Sequence, residues 1–138
     1  IPGGSLAQAV RERPLKAEVA AHLVASLARA AEYAHQRHIL HRDLKPGNIL
    51  LVPSQRPEAL EIPQARIDSS DGAEDRNLRF EPKIVYFGLA IQFEAMEANT
   101  RSHHIAGTPS YMAPEQVDSS VGAIGAASDV YALGAILF

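Results

Sequence analysis

His41-Arg42-Asp43-Leu44-Lys45-Pro46-Gly47-Asn48 sets a carboxylate, an ammonium and a carboxamide within six residues, Asp43 to Asn48. What flanks this string decides how it is held. On its amino-terminal side an Ala-rich stretch from about Lys16 to Gln36 carries Val19, Leu23, Leu27, Ala30 and Ala34 at spacings of three and four, which predicts a long helix with one buried face. On its carboxyl-terminal side Ile49-Leu50-Leu51-Val52 is a short apolar run, which predicts a strand. The stretch from Ile39 to Asn48 contains Pro46-Gly47 among its charges and reads as a loop supported at both ends.

Working outward, Ser5 follows the Gly3-Gly4 turn and is placed to cap a short helix from Leu6 to Arg13, which Pro14 closes. Residues 53–79 hold three prolines, many charges and few large apolar groups, so a mobile polar insertion is expected there rather than packed structure. Lys83-Ile84-Val85 reads as a second strand, forming with the first a small hairpin that has the insertion as its tip. Residues 88–114 show no sustained period and contain Gly107, Pro109 and Pro114, so they read as loop. Ser128-Asp129 carries the chemistry to start a final helix, 128–138, which is apolar almost all round and therefore calls for burial. That helix ends on Phe138 with no polar or capping residue, and Ile1-Pro2-Gly3-Gly4 lacks an initiator Met. Together they read as a cut from a longer chain.

The 138 residues, 46% hydrophobic and 21% charged, suit one domain or part of one. A net charge of -3 offers no basic field for nucleic acid or an anionic membrane, so neither is expected as a partner. The absence of cysteine excludes disulfides, thiolate zinc sites and a cysteine nucleophile, and it suits a cytoplasmic setting. No apolar run reaches the roughly 18 residues of a membrane span. Of the six histidines, His35, His38 and His41 lie close in sequence and His103-His104 are adjacent. Neither set has an acidic partner at a ligand spacing, so no metal is expected on them.

The grouping of Asp43, Lys45 and Asn48 suits phosphoryl transfer: a carboxylate to orient a hydroxyl, an ammonium to neutralise a phosphate, and a carboxamide oxygen for a hard cation. At every fixed position the string resembles the protein kinase catalytic loop H-R-D-L-x-x-x-N. Lys45, two residues after Asp43, resembles the serine/threonine branch. Further matches follow in the family's order: Lys83-Ile84-Val85-Tyr86-Phe87-Gly88-Leu89-Ala90, then Gly107-Thr108-Pro109-Ser110-Tyr111-Met112-Ala113-Pro114-Glu115, then Ser128-Asp129-Val130-Tyr131-Ala132-Leu133-Gly134. The wording is closest to bacterial-style serine/threonine kinases, and the resemblance covers nearly the whole chain outside the insertion.

The resemblance implies an α+β, protein-kinase-like catalytic lobe portion that is mostly helical with one small hairpin. It implies an activation segment over 86–115, ATP and Mg2+ as cofactors, and a protein serine or threonine as substrate. Position by position, Asp43 would orient the substrate hydroxyl, Lys45 would steady the transferring phosphate, and Asn48 would hold magnesium. Arg42 would pair with a phosphorylated activation-loop residue, with Thr100, Ser102 and Thr108 as candidates. Thr108 would brace Asp43 and Lys45. Glu115 would be the structural acid of the A-P-E motif, its Arg partner lying beyond Phe138, and Asp129 the helix acid that ties down the loop backbone.

Two departures from the family pattern stand out. Tyr86 occupies the position of the magnesium-binding Asp of D-F-G, and a neutral phenol is a poor ligand for a hard cation. Three readings of Tyr86 compete: a catalytically impaired kinase that serves as a binding module, a sequence error, and an enzyme in which another acid compensates. The glycine-rich loop, the strand lysine and the helix glutamate that hold the phosphates are also absent from these 138 residues. The expectation is that this stretch by itself neither binds ATP usefully nor transfers phosphate.

Overall fold

The computed structural model describes residues 4–11, 14–61, 79–86, 91–92 and 109–138. Four helices and five strands occur among them: α1 (Leu6–Arg11), α2 (Ala17–His35), β1 (Ile39–Leu40), β2 (Ile49–Pro53), β3 (Leu60–Glu61), β4 (Arg79–Ile84), β5 (Ile91–Gln92), α3 (Pro114–Val117) and α4 (Ala126–Leu137). The class is α+β, with its helices set against small antiparallel sheets.

α1 starts where the sequence places it. The Ser5 hydroxyl accepts the Gln8 N–H at 3.3 Å while the Gln8 side-chain oxygen accepts the Ser5 N–H at 2.8 Å, so each satisfies a donor at the helix start. Gly4 precedes it at a φ of 65°, and a Cβ there would come within 2.6 Å of that same Gln8 oxygen. The Gly4 carbonyl also accepts the Leu51 N–H at 3.0 Å, which pins α1 against β2.

Along α2, Leu23, Leu27 and Ala31 are buried, spaced four apart along one stripe. Ala30, expected on that face, is exposed, because the buried stripe follows the i, i+4 row and takes in Ala31 instead. α2 ends at His35. The chain reverses at His38, which adopts the left-handed region at a φ of 58°, and proceeds into β1. Ile39 and Leu40, expected as loop, pair with Gln92 and Ile91 as a short two-stranded sheet.

The expected hairpin is present as β2 and β4, paired antiparallel with Ile49 opposite Ile84 and Pro53 opposite Phe80. β4 begins at Arg79 and ends at Ile84, so it starts earlier than the apolar run suggests and leaves Val85 outside the strand. A third strand, β3, pairs Leu60 with Phe80 and Glu61 with Arg79. It stops short of Pro82, which has no N–H to donate and therefore suits an uncovered edge. The first part of the supposed mobile insertion is thus packed. Ala59 is buried, the Ser54 N–H donates to the Arg79 carbonyl at 2.9 Å, and Arg79 reaches Glu61 at 2.9 Å. Polar composition concealed this, because the stabilising contacts there are backbone pairing and one small apolar side chain. Residues 62–78 lie outside the described residues.

The last helix also begins earlier than expected. Gly125 is its N-cap, and Ser128, in the third helical position, accepts the Gly125 N–H on its hydroxyl at 3.2 Å. Ser128 therefore closes the helix start from inside rather than capping it. Leu6, Ala9, Leu23, Leu27, Ala31, Ile49, Leu51, Phe80, Ala132 and Leu133 form one core, and Leu44 of the charged loop is buried with them. Burying one leucine side chain contributes about 2 kcal/mol, so Leu44 roots the loop between α2, β2 and α4.

Candidate active site

The loop from His41 to Asn48 is held through its backbone. Asp129, on the first turn of α4 and 1% exposed, accepts the His41 N–H on Oδ2 at 2.9 Å and the Arg42 N–H on Oδ1 at 2.8 Å. Arg42 sits in the left-handed region at a φ of 66°, a conformation unfavourable for a side chain with a Cβ. Its carbonyl accepts the Gln116 side-chain amide at 2.8 Å. One residue is thereby gripped by α4 at its N–H and by α3 at its C=O. The side-chain oxygen of the same Gln116 accepts the Ala113 N–H at 3.0 Å, tying the start of α3 to the loop as well.

His41 is buried, and its ring locks the next turn. Nδ1 accepts the Asp43 N–H at 3.3 Å and Nε2 lies 3.1 Å from the Val85 carbonyl. A carbonyl only accepts, so these partners assign the ring proton to Nε2. The Val85 N–H in turn donates to the Asn48 carbonyl at 2.9 Å. Both backbone groups of Val85 are therefore engaged with the loop, which fixes Tyr86 beside it.

Asp43, Lys45 and Asn48 meet as one cluster. The Asp43 Oδ2 lies 2.8 Å from the Lys45 Nζ and accepts the Asn48 Nδ2 at 3.0 Å, and the same Nδ2 donates to the Asp43 carbonyl at 2.8 Å. Both described donations of the Asn48 amide thus go to Asp43, and Oδ1 is the acceptor atom of its side chain. The side chains of Asp43 and Lys45 are 14% and 28% exposed, so the pair borders solvent and is open to a substrate. Chemically this is a carboxylate able to accept a proton with a cation 2.8 Å away to receive negative charge.

For magnesium the described donors fall short. Asn48 offers one oxygen, and Tyr86 places a phenol, 71% exposed, where a second hard ligand would be needed. Among the described residues no group of three or more His, Cys, Asp or Glu could hold a metal ion. The residues present do not fit a two-ligand magnesium site. Tyr86 also has a φ of 63°, in the left-handed region that Asn, Asp and Gly tolerate best.

Glu115 lies outside the Asp43 cluster. Its Oε1 accepts the Ser128 hydroxyl at 2.6 Å, linking α3 to α4, and that hydrogen bond holds the Glu115 carboxyl below the usual glutamate range. Thr100, Ser102, Thr108 and the pair His103 and His104 lie outside the described residues. A cavity of about 630 Å3 opens between α2 and α4 and is lined by Val24, Ala28, Ala31, His35, Val130 and Leu133 among others, with none of the loop's residues.

Two positioning groups escape a motif reading, His35 and Gln116. The His35 Nε2 lies 2.8 Å from the Asp129 Oδ2. A signal was present, since His35 continues the row Leu23, Leu27, Ala31 at the same spacing of four, so a polar ring falls on a buried stripe. Gln116 carries no such mark, because its role depends on how α3 docks.

The description "Protein kinase domain" matches residues 1–138. CBL-interacting protein kinase 10 of Oryza sativa subsp. japonica is 36% identical over 138 residues, covering 100% of this chain and 25% of that protein. The DNA damage-responsive serine/threonine-protein kinase RqkA of Deinococcus radiodurans is 39% identical over 111 residues, covering 80% of this chain and 13% of that protein. Serine/threonine-protein kinase AfsK of Streptomyces coelicolor is 33% identical over 141 residues, covering 99% and 14%. The chain spans a quarter or less of the length of these relatives. Matched along its whole length to the kinase description, and similar to serine/threonine kinases of plants and bacteria, the chain belongs to the protein kinase family, in its serine/threonine branch.

Proposed function

We propose that the full-length protein carrying this chain transfers the γ-phosphoryl group of ATP to serine or threonine hydroxyls of proteins. The observation that carries the reading is the Asp43, Lys45 and Asn48 cluster, with the Asp43 carboxylate 2.8 Å from Lys45 and oriented by Asn48. In this reading Asp43 orients the attacking hydroxyl and takes its proton, while Lys45 receives the charge of the transferring phosphoryl group. Asn48 holds the Asp43 carboxylate with its amide. Arg42 and Thr108 are assigned regulatory and bracing roles on the family pattern, and Glu115 and Asp129 structural ones. ATP and magnesium are the cofactors of the family. Because Tyr86 is unsuited to magnesium, no step is assigned to the metal.

Tyr86 also favours a second reading, a kinase fold serving as a binding module with its chemistry dormant. The deciding experiment measures phosphate transfer from magnesium-ATP to a generic protein substrate by the full-length protein. It compares the natural sequence, Tyr86→Asp, and Tyr86→Asp combined with Asp43→Asn. Transfer by the Tyr86→Asp variant that falls by about a hundredfold or more on losing the Asp43 carboxylate is the result expected. Silence of the natural sequence and of Tyr86→Asp alike would transfer the assignment to the binding module.

A further inference from the structure

The peptide unit between Arg42 and Asp43 is the last rigid plane before the Asp43 carboxylate. Because a peptide is planar, one partner on its C=O and another on its N–H together fix how it is turned. Both partners are present. The Arg42 C=O accepts the Gln116 Nε2 amide at 2.8 Å, and the Asp43 N–H donates to His41 Nδ1 at 3.3 Å. The shorter contact is the firmer one, so Gln116 dominates the hold on this plane. Gln116 is itself oriented through its other atom, since Oε1 accepts the Ala113 N–H at 3.0 Å and closes the start of α3. A carbonyl only accepts and an N–H only donates, so these partners assign Nε2 to the Arg42 side and Oε1 to the Ala113 side. A flipped amide would lose both contacts. Ala113 is fully buried and Met112 is 7% exposed, so the segment that carries the amide is anchored in its turn.

From this arrangement we infer that Gln116 is a positioning residue for phosphoryl transfer, setting the plane of the peptide between Arg42 and Asp43 and through it the direction of the Asp43 carboxylate. The inference rests on the kinase reading for its consequence in catalysis, but not for its geometry. Arg42 stands in the left-handed region at a φ of 66°, and a residue with a Cβ keeps such a conformation only where its surroundings hold it. The Gln116 amide is one such hold, and it comes from a segment 74 positions away in sequence. Any displacement of the start of α3 therefore reaches the peptide before Asp43 through a single side chain. Without the Gln116 donor the peptide can swing, the Asp43 N–H loses its alignment on the His41 ring, and the carboxylate turns away from Lys45.

The test compares Gln116→Glu with Gln116→Met in the full-length protein. At neutral pH the Glu carboxylate still accepts the Ala113 N–H but has no proton for the Arg42 C=O, whereas Met supplies neither. Amide hydrogen exchange is read at Asp43 and Ala113, with Leu27 and Leu51 as references in α2 and β2. The expected result is exchange at Asp43 about fivefold faster or more in both variants, the size of one lost hydrogen bond. Ala113 stays within about twofold of the natural protein in the Glu form and opens only in the Met form, with the references unchanged in both. Where turnover is measurable, kcat falls in the Glu form as in the Met form while KM for ATP stays constant. Unchanged exchange at Asp43 in the Glu form would overturn the inference. So would Ala113 or the references opening together with Asp43 in that form, which would assign Gln116 to holding α3 alone. Exchange is read without turnover, so a silent enzyme would count against the kinase reading and leave the positioning result standing.

Discussion

Asp129 and Tyr86 mark opposite ends of what one residue does in this fold. Asp129 uses two oxygens to hold two consecutive peptides of the loop, and Asn in its place would turn an amide donor toward an N–H donor. Asp129→Asn is expected to lower stability by about 3 kcal/mol, the scale for breaking a buried and paired charge. Urea unfolding of the full-length protein checks this, and an unchanged midpoint would contradict the role given to Asp129. Tyr86 has the reverse balance, being largely exposed while its backbone is in the left-handed region. Tyr86→Asn sheds little packing and relieves the turn, so a gain of about 1 kcal/mol is expected. Loss of stability in that variant would show that the ring makes contacts worth more than the strain.

At the scale of elements, the loop is a bridge whose footing is apolar. Leu44 is 1% exposed and belongs to the core formed by α2, β2 and α4, so Leu44→Ala should cost about 3 kcal/mol. Alanine in place of Val52, half-buried on β2, should cost less, and equal midpoints for the two variants would argue against Leu44 as the root. α3 and α4 are joined by Glu115 and Ser128, and this contact is acid-sensitive. The hydrogen bond from Ser128 lowers the Glu115 pKa, so the folded state binds this proton less readily than the unfolded chain. Its contribution is therefore fully present above the ordinary glutamate range and is lost as pH falls through the lowered value. Ser128→Ala should be destabilising at neutral pH, and its deficit against the natural protein should narrow below the glutamate range. A deficit that stays constant across that range would dissociate Ser128 from the titration of Glu115.

Over the whole molecule, apolar surface is distributed unevenly. Val130, Tyr131, Leu137 and Phe138 are 60%, 49%, 45% and 110% exposed, whereas Ala132 and Leu133 of the same helix are buried. An apolar face of this kind associates with other apolar surfaces in water. The 138-residue chain is therefore expected to self-associate as its concentration rises, and the double variant Val130→Lys with Leu137→Lys to do so less, as read by light scattering. Equal scattering from the two would place the adhesive surface elsewhere. No described helix is long and apolar enough to cross a membrane.

Local chemistry was legible along the chain wherever one residue type carries one physical meaning. The buried face of α2 at Leu23 and Leu27, the Ser5 cap of α1, the apolar run of β2 and the spacing of Asp43, Lys45 and Asn48 all follow from side-chain periodicity and polarity. They place the loop between its helix and its strand without coordinates, while the family was read from the resemblance of the motif strings. Features that depend on partners far apart in sequence were decided by tertiary structure. Leu60 becomes a strand because Phe80 is there to pair with it, and Gln116 grips Arg42 because α3 docks beside the loop. His35 meets Asp129 across 94 positions because α2 and α4 pack together. A hydrogen bond between distant segments leaves no periodic trace in either one, and only the packed chain brings the donor to its acceptor.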